Sequence, residues 1–442
     1  MSATKPSGIP WLGEVPAHWE VKRIKSVVVR SENGAWGEDE AGDENDVFCY
    51  RAADFDTDRM LVTAEKLVRR NVPPEVFRRK AVRPEHLLIE KSGGGENVPV
   101  GRVVRSLLHE PAVFSNFLGL IEVDEAQADS NYMRYTFWHL YSGKVPWRSI
   151  KQTTGLQNLD TSSYFDERIA LPPLPEQRAI AAFLDERTAR IDALVARKRR
   201  LVQLLKEKRQ ALITRAVTRG LDPKVKMKES GVPWLGEVPE HWSLPALNSR
   251  YEILLGKMLD EKRLTKTDLV PYLRNIDVQW DRVNTEDLHE MDIAPSEYER
   301  FTLRPGDLLV CEGGDIGRTA TWRGELALCA FQKAVHRVRP RSASEHPRYL
   351  FYTMVAVHGR GVFLAEGNPN TIPHLTGEKF RRYRFPQPPH EEQVAIAEHL
   401  DQMTTRIDAL VTKVEAAVER LQEYRTALIS AAVTGKVQIP IR

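Results

Sequence analysis

The sequence predicts an α+β protein: two mixed α/β domains separated by two long helices that form an antiparallel coiled coil, with an internal pseudo-twofold duplication. Three observations predict it. Residues 8–19, GIPWLGEVPAHW, return at 231–242 as GVPWLGEVPEHW, with ten of twelve positions identical. Residues 176–218 return at 392–434 with 24 of 43 positions identical. Between these shared ends lie two interiors that diverge. A duplicated unit of about 220 residues is far longer than a solenoid or propeller repeat. Each copy therefore reads as a domain with its own helix.

The segments follow in order. Residues 1–171 are the first domain, 172–220 the central helix, 221–387 a linker and the second domain, and 388–442 the C-terminal helix and tail. Strand-like runs in the interiors are Val27–Arg30, His86–Ile89, Gly101–Val104, Leu118–Val123, Asp307–Val310 and Val335–Val338. Aromatic helical stretches follow at Tyr132–Tyr141 and Tyr349–Val357, where rings at helical spacing read as core. The interiors still echo each other. Val82-Arg83-Pro84-Glu85-His86-Leu87-Leu88 stands where Leu303-Arg304-Pro305-Gly306-Asp307-Leu308-Leu309 stands, and each is followed by a glycine cluster.

The shared ends read as rods. Leu184, Ile191, Leu194, Lys198, Leu201, Leu205, Lys208 and Leu212 give a seam of mainly three- and four-residue steps. Leu400, Ile407, Leu410, Val414, Ala417, Leu421, Tyr424 and Leu428 give another. Pro175 can open the first helix, and Gly220 and Gly435 are natural stops. Residues 176–220 carry 12 basic and 5 acidic side chains, whereas 392–436 carry 5 and 7. Opposite balances favour pairing of the two helices within one chain; the alternative is pairing of each with its twin in a homodimer.

Composition excludes several classes. With 42% apolar and 28% charged residues, the chain is neither disordered nor membrane-embedded. No apolar run approaches the roughly 18–20 residues of a bilayer span, and no secretion signal is visible. Cys49, Cys311 and Cys329 form no disulfide framework or zinc knuckle, so a reducing cytoplasm is expected. Net charge is only +3, so any basic surface must be local. One candidate is Arg69, Arg70, Arg78, Arg79, Lys80 and Arg83; in the second copy Arg337, Arg339 and Arg341, then Lys379, Arg381, Arg382 and Arg384, are comparable. An acidic loop spans Glu38–Asp46. Catalytic constellations are missing. There is no phosphate-binding G-x-x-x-x-G-K-[ST], no G-x-S-x-G elbow, and Val394 stands where a zincin needs its second histidine. His18 and His241, beside Trp19 and Trp242, fit a structural role.

Taken together, these motifs resemble the specificity subunits of type I restriction–modification systems. The residues that carry the resemblance are Gly8 through Trp19, Leu171-Pro172-Pro173-Leu174-Pro175-Glu176-Gln177, Ile191-Asp192, and their second copies Gly231–Trp242, Pro388-Pro389-His390-Glu391-Glu392-Gln393 and Ile407-Asp408. Arg304-Pro305-Gly306-Asp307 resembles a turn of that family's target-recognition domains; the first copy departs with Arg83-Pro84-Glu85-His86.

The resemblance implies a non-catalytic DNA-binding subunit. Two target-recognition domains would each read half of a split site, with the helices as ruler and docking surface. The implied partners are double-stranded DNA, two methyltransferase subunits and restriction/translocase subunits. No cofactor is expected on this chain; S-adenosylmethionine, ATP and Mg²⁺ would sit on the partners, and no metal site is expected. Candidate DNA-contacting residues lie on loops matched between copies. They are Lys91, Ser92, Arg102, Lys151, Thr153, Thr154 and Asn158 in the first, and Arg318, Asn368, Asn370 and Thr371 in the second, with Gln152, Gln157, Asp315 and His374 beside them. The coiled-coil and docking candidates are Ile191, Leu194, Leu201, Leu205, Ile407, Leu410, Val414 and Leu421. The competing reading is a coiled-coil scaffold without sequence readout.

Overall fold

The computed structural model describes residues 3–9, 12–63, 65–95, 98–153, 155–259, 267–365 and 374–440. Four helices organise it: α1 (Ser130–Ser142), α2 (Leu174–Arg219), α3 (Pro347–Gly359) and α4 (His390–Val433). The chain divides into two compact units, 1–197 with 417–442 and 198–416. These do not follow the segment boundaries drawn from sequence, because each long helix is shared between units.

In the first unit the central strands run in the order Val28–Asn33, Leu118–Val123, Leu87–Glu90, Val103–Arg105, with Leu61–Val62 and Phe55–Asp56 completing the sheet. In the second unit Tyr251–Leu255, Val335–Pro340, Leu308–Cys311 and Thr319–Thr321 repeat the first four places. Each predicted strand overlaps an observed one with ends within three residues. A second sheet is also duplicated: Ala112–Phe114, Asp46–Tyr50, Val68–Asn71 in one unit, and Ala330–Phe331, Leu269–Leu273, His289–Asp292 in the other. Two glycines are fixed by close approach. A Cβ on Gly34 would sit 2.0 Å from the Ser115 carbonyl oxygen, and one on Gly256 would sit 2.3 Å from that of Phe331.

The turn before the inner strand explains the sequence departure. Asp307 is buried, accepts the Arg304 N–H at 2.7 Å and holds Arg339 by two bonds of 2.7 Å. In the first unit His86 takes the same place, and its Nδ1 accepts the Arg83 N–H at 3.2 Å. An acceptor is kept while its charge is lost. Burial pushes the His86 pKa down, so the neutral ring suits this role.

Helices α1 and α3 lie against the long helices through matched tyrosines. The Tyr135 hydroxyl donates to Asp185 at 2.8 Å and lies 3.2 Å from the Thr188 hydroxyl. Tyr352 does the same with Asp401 at 2.6 Å and Thr404 at 3.2 Å. The aromatic stretches are core, as expected: Tyr132, Tyr135, Phe137, Tyr349, Phe351 and Tyr352 are all buried.

The long helices pair antiparallel within each unit. In the first, Arg425 Nε on α4 reaches Asp192 Oδ1 on α2 at 2.9 Å; in the second, Arg209 Nε on α2 reaches Asp408 Oδ1 on α4 at 2.9 Å. The buried stripe differs from the predicted seam. On α2 it is Leu184, Thr188, Ile191, Val195 and Val202; on α4 it is Leu400, Thr404, Ile407, Val414, Val418, Arg425 and Leu428. Leu194, Leu201 and Leu410 are 42%, 42% and 47% exposed, while Leu205 and Leu421 are half-buried. The heptad has four-then-three steps, so Val195 and Val202 replace Leu194 and Leu201. Sequence alone left leucines on the flank looking like the seam. Gly220 and Gly435 do end the helices, with φ of +71° and +73°.

The two ion pairs should differ in worth. Arg425 is 7% exposed over Asp192, whereas Arg209 is 31% exposed and Asp408 54%. Arg425→Met is expected to cost about 1–3 kcal/mol, and Arg209→Met at most about 1 kcal/mol. Denaturant unfolding of the two variants checks this; equal losses would contradict the burial argument.

A histidine makes the first unit acid-sensitive. His139 on α1 lies with Nδ1 3.0 Å from Ser430 Oγ, and burial, then Lys436, pushes its pKa down to about 4. The folded state therefore favours the neutral ring, and the unfolded chain takes up the proton near pH 6.5. This stability is fully present above about pH 6.5 and is lost as pH falls towards 4. His139→Gln should flatten the melting temperature between pH 6.5 and 4; an unchanged slope would remove His139 as a cause.

Candidate nucleic-acid interface

The shared frame of each copy ends in one lock. Trp19 Nε1 donates to Glu176 Oε1 at 3.0 Å and His18 Nε2 lies 2.8 Å from Glu176 Oε2; Trp242 and His241 meet Glu392 Oε2 at 3.0 and 2.9 Å. Gln177 and Gln393 follow, both wholly buried. Gln177 is bonded to the backbone of Pro172, Gln127 and Asp129, and Gln393 to that of Pro388, Ser344 and His346. The recurring motifs are thus structural. They fix where each domain's variable loops project.

In the first unit the polar stretch before α2 is a hairpin, not a loop. Ile150–Thr153 pairs with Leu156–Leu159, which pairs in turn with Ser92–Gly93 beside the glycine cluster. This ribbon gathers three predicted residues. Ser92 Oγ is 2.6 Å from Asn158 Oδ1, Lys151 stands opposite Asn158, and Lys151 Nζ meets Asp160 at 2.7 Å while staying 74% exposed. Lys91 precedes them, with its Nζ on Asn33 Oδ1. Gln152 is exposed, whereas Gln157 is buried and holds the glycine loop through Val100 N–H at 3.3 Å. Thr153 closes its strand. Thr154 lies outside the described residues.

Arg102 stands apart from this group. Its guanidinium makes two bonds of 2.7 Å to the carboxylate of Glu90, which is 3% exposed. That charge is spent inside the fold. Half of the basic run nearby is also paired: the acidic loop folds back on it, with Arg70 on Asp39 at 2.5 Å and Arg69 on Glu40 at 3.5 Å, and Lys80 meets Glu32 of the strand Val28–Asn33 at 3.2 Å.

In the second unit Arg318 Nη2 donates to the Asn275 carbonyl at 2.8 Å and to its Oδ1 at 2.9 Å. Asn275 Nδ2 in turn donates to the Gly313 carbonyl at 2.8 Å. Asp315 is held by Trp280 Nε1 at 3.1 Å and His358 Nε2 at 2.6 Å. His374 is exposed beside Gly313. Asn368, Asn370 and Thr371 lie outside the described residues. Sequence reasoning missed Asn275, Trp280 and His358. A signal existed for Asn275: Arg274-Asn275-Ile276-Asp277 repeats the turn of Arg51-Ala52-Ala53-Asp54, and both arginines cap their aspartates at 2.8–2.9 Å. The two copies differ there, and Ile276 is 68% exposed.

Arg337 and Arg339 belong to a candidate basic surface, but the structure uses them otherwise. Arg337 is wholly buried and donates to the carbonyls of Glu299, Arg300 and Thr302 at 3.0–3.1 Å, and Arg339 holds Asp307. The later run fares differently. Lys379, Arg382 and Arg384 line an open groove of about 780 Å³ with Arg360, Trp234 and Tyr383. Among the described residues its carboxylate partner is Glu378 on Arg382, and that pair is about three-quarters exposed on both sides, so salt and water weaken it.

Among the described residues no three His, Cys, Asp or Glu side chains converge as a metal site. Burial pushes the thiols of Cys49 and Cys329 up to about 12 and of Cys311 to about 11, so none is a nucleophile at neutral pH. No helix among the described residues is long and apolar enough to cross a membrane.

Fold and site together define a class: a duplicated protein whose shared frame positions two divergent sets of loops. Residues 248–420 match the family model described as the type I restriction modification DNA specificity domain. Over 396 residues the chain is 24% identical to the type I restriction enzyme EcoKI specificity subunit of Escherichia coli strain K12, covering 87% of this chain and 80% of that one. It is 26% identical over 344 residues to the EcoBI specificity subunit of Escherichia coli, covering 74% and 70%. The fold matches the HsdS subunit from Thermoanaerobacter tengcongensis at TM-score 0.56 and 16% identity, over 96% and 98% of the two chains. It also matches a chain solved in work on assembly and conformational transition of the type I R-M system, at TM-score 0.69 and 16% identity, over 96% and 99%. Over most of its length the chain is thus similar to type I restriction–modification specificity subunits, and residues 248–420 match that family's specificity domain.

Proposed function

We propose that this chain reads an asymmetric, bipartite DNA site, one half with each domain, and holds the methyltransferase and restriction subunits of a type I complex. One observation carries the reading: an identical Trp-His-Glu lock and an identical buried glutamine support two different sets of polar loops. A frame kept constant beneath divergent loops suits two targets of one kind, and half-site geometry then mirrors protein geometry. The first unit offers Lys91, Ser92, Lys151 and Asn158; the second offers Arg318 and the basic groove. These are donors of the kind that base edges and phosphates accept.

The chain itself is proposed to be non-catalytic and cytoplasmic. S-adenosylmethionine, ATP and Mg²⁺ belong to the partners in this reading. Leu194, Leu201, Leu204 and Leu410, each more than 40% exposed on the long helices, are proposed as part of the apolar surface that two methyltransferase subunits cover.

The test is co-expression with the cognate methyltransferase, followed by sequencing of modified bases in host DNA. A split motif with two fixed halves and a constant gap is the expected result. A complex that forms yet modifies no split motif would favour a scaffold instead.

A further inference from the structure

The two copies place one arginine at the same point of the same sheet and treat its charge differently. In the first unit the Glu90 N–H donates to the Arg102 carbonyl at 2.9 Å and the Gly101 N–H to the Glu90 carbonyl at 3.0 Å. In the second, the Cys311 N–H donates to the Arg318 carbonyl at 2.9 Å and the Gly317 N–H to the Cys311 carbonyl at 3.0 Å. Strand registers agree: Ile89 faces Val103, and Val310 faces Thr319. Arg318 is therefore the counterpart of Arg102, and Cys311 the counterpart of Glu90.

The exchange of Glu for Cys removes the partner. Arg102 is closed by a buried carboxylate. Arg318 has no ion pair among the described residues; it faces a neutral thiol, and both bonds from Nη2 go to Asn275. Its Nε is buried and has no hydrogen-bond partner. Asp315, three residues earlier, is already bonded to Trp280 and His358. A half-buried cation without a counter-charge is costly unless a ligand completes it. Asn275 fixes the plane of the guanidinium and leaves Nη1 as the outward donor. The neighbouring Ile276 is 68% exposed.

We infer that the domains read DNA unequally: Arg318 is a specificity-determining contact of the second domain, donating from Nη1 to an acceptor oxygen or nitrogen of the DNA, while Arg102 is withdrawn from contact by Glu90. The inference rests on the DNA-reading role proposed above. Asn275 is a positioning residue, because it acts through Arg318.

The experiment uses the full chain in complex with its methyltransferase. Binding to duplexes with the modified motif is compared with binding to scrambled duplexes across a salt series. Arg318→Gln is expected to weaken target binding about tenfold or more, the scale of a lost charge-assisted bond. Cys311→Glu rebuilds the Glu90–Arg102 arrangement, so it should lose a similar factor while its melting temperature holds. That second variant separates a lost contact from a lost fold. A base-edge acceptor shows as relaxed discrimination at one position of one half-site. A uniform loss with the salt slope reduced by about one would mark a phosphate contact instead and overturn the specificity-determining role. Target affinity within twofold of wild type for both variants would overturn the inference while the split-site reading stood. Failure of the wild-type complex to select any split motif would overturn both.

Discussion

Replacing Glu345 with alanine is expected to destabilise the second unit more than any single surface change, by about 3–5 kcal/mol. Glu345 is 1% exposed and Arg250 3%. The carboxylate accepts from Arg250 at 3.0 and 2.6 Å, from the Tyr251 hydroxyl at 2.9 Å and from Gln387 at 2.6 Å. Arg250 also donates to the carbonyls of Phe385 and Pro386 at 3.2 and 3.3 Å. Removing the carboxylate strands a buried guanidinium and leaves two further donors without their acceptor. For a unit of this size a melting temperature falls by about 2–4 °C per kcal/mol, so the loss is on the order of 10 °C. Glu378→Ala, which breaks an exposed pair with Arg382, should move it little. Thermal melts of the two variants decide the matter. Similar shifts would mean that burial does not set the cost.

If the chain reads DNA as proposed, exchange of residues 20–171 for the equivalent segment of a similar specificity subunit is expected to change one half of the modified motif and leave the other half untouched. The cut points are structurally quiet. Glu20–Arg23 and Arg168–Leu171 pair with each other, so both ends of the insert leave through one two-stranded ribbon. Trp19 and Glu176 remain outside it. Gln177 binds only backbone in the insert, which any sequence supplies. The donor must carry tyrosines at the places of Tyr132 and Tyr135, because Tyr135 bonds Asp185 and Thr188 on α2, and Tyr132 bonds the Val433 carbonyl on α4. Sequencing of modified bases reads the result. A motif altered in both halves, or in neither, would contradict independent readout.

The fold was legible where the sequence states the same thing twice. Strands such as Leu118–Val123 are short apolar runs, buried at all but one position, and the paired helix ends announce themselves by identity. What stayed hidden depended on partners set by register. Leu194 and Val195 are both apolar, and periodicity alone admits three-then-four or four-then-three steps. The antiparallel partner chooses the second, and leucines are left on the flank. Arg102 looked like a contact residue because its neutraliser, Glu90, lies twelve positions earlier and meets it only across the sheet. Arg337 was hidden for the same reason: three backbone carbonyls outside its own strand bury it. Charge runs in sequence count side chains, whereas an interface counts only those left unspent.

The division of each helix between units bears on how the chain is made. The core of the first unit includes Val418, Leu428, Ile429, Ala432 and Val433 of α4, whereas every residue of the second unit lies between 198 and 416. During synthesis the second unit thus has its full complement of residues while the first still lacks its last core side chains. A nascent chain would hold residues 1–197 with an open apolar face through more than half of translation. Domains that emerge first usually close first; here the order is reversed. Chaperone occupancy on ribosome-bound chains should therefore persist on the N-terminal part until α4 has emerged.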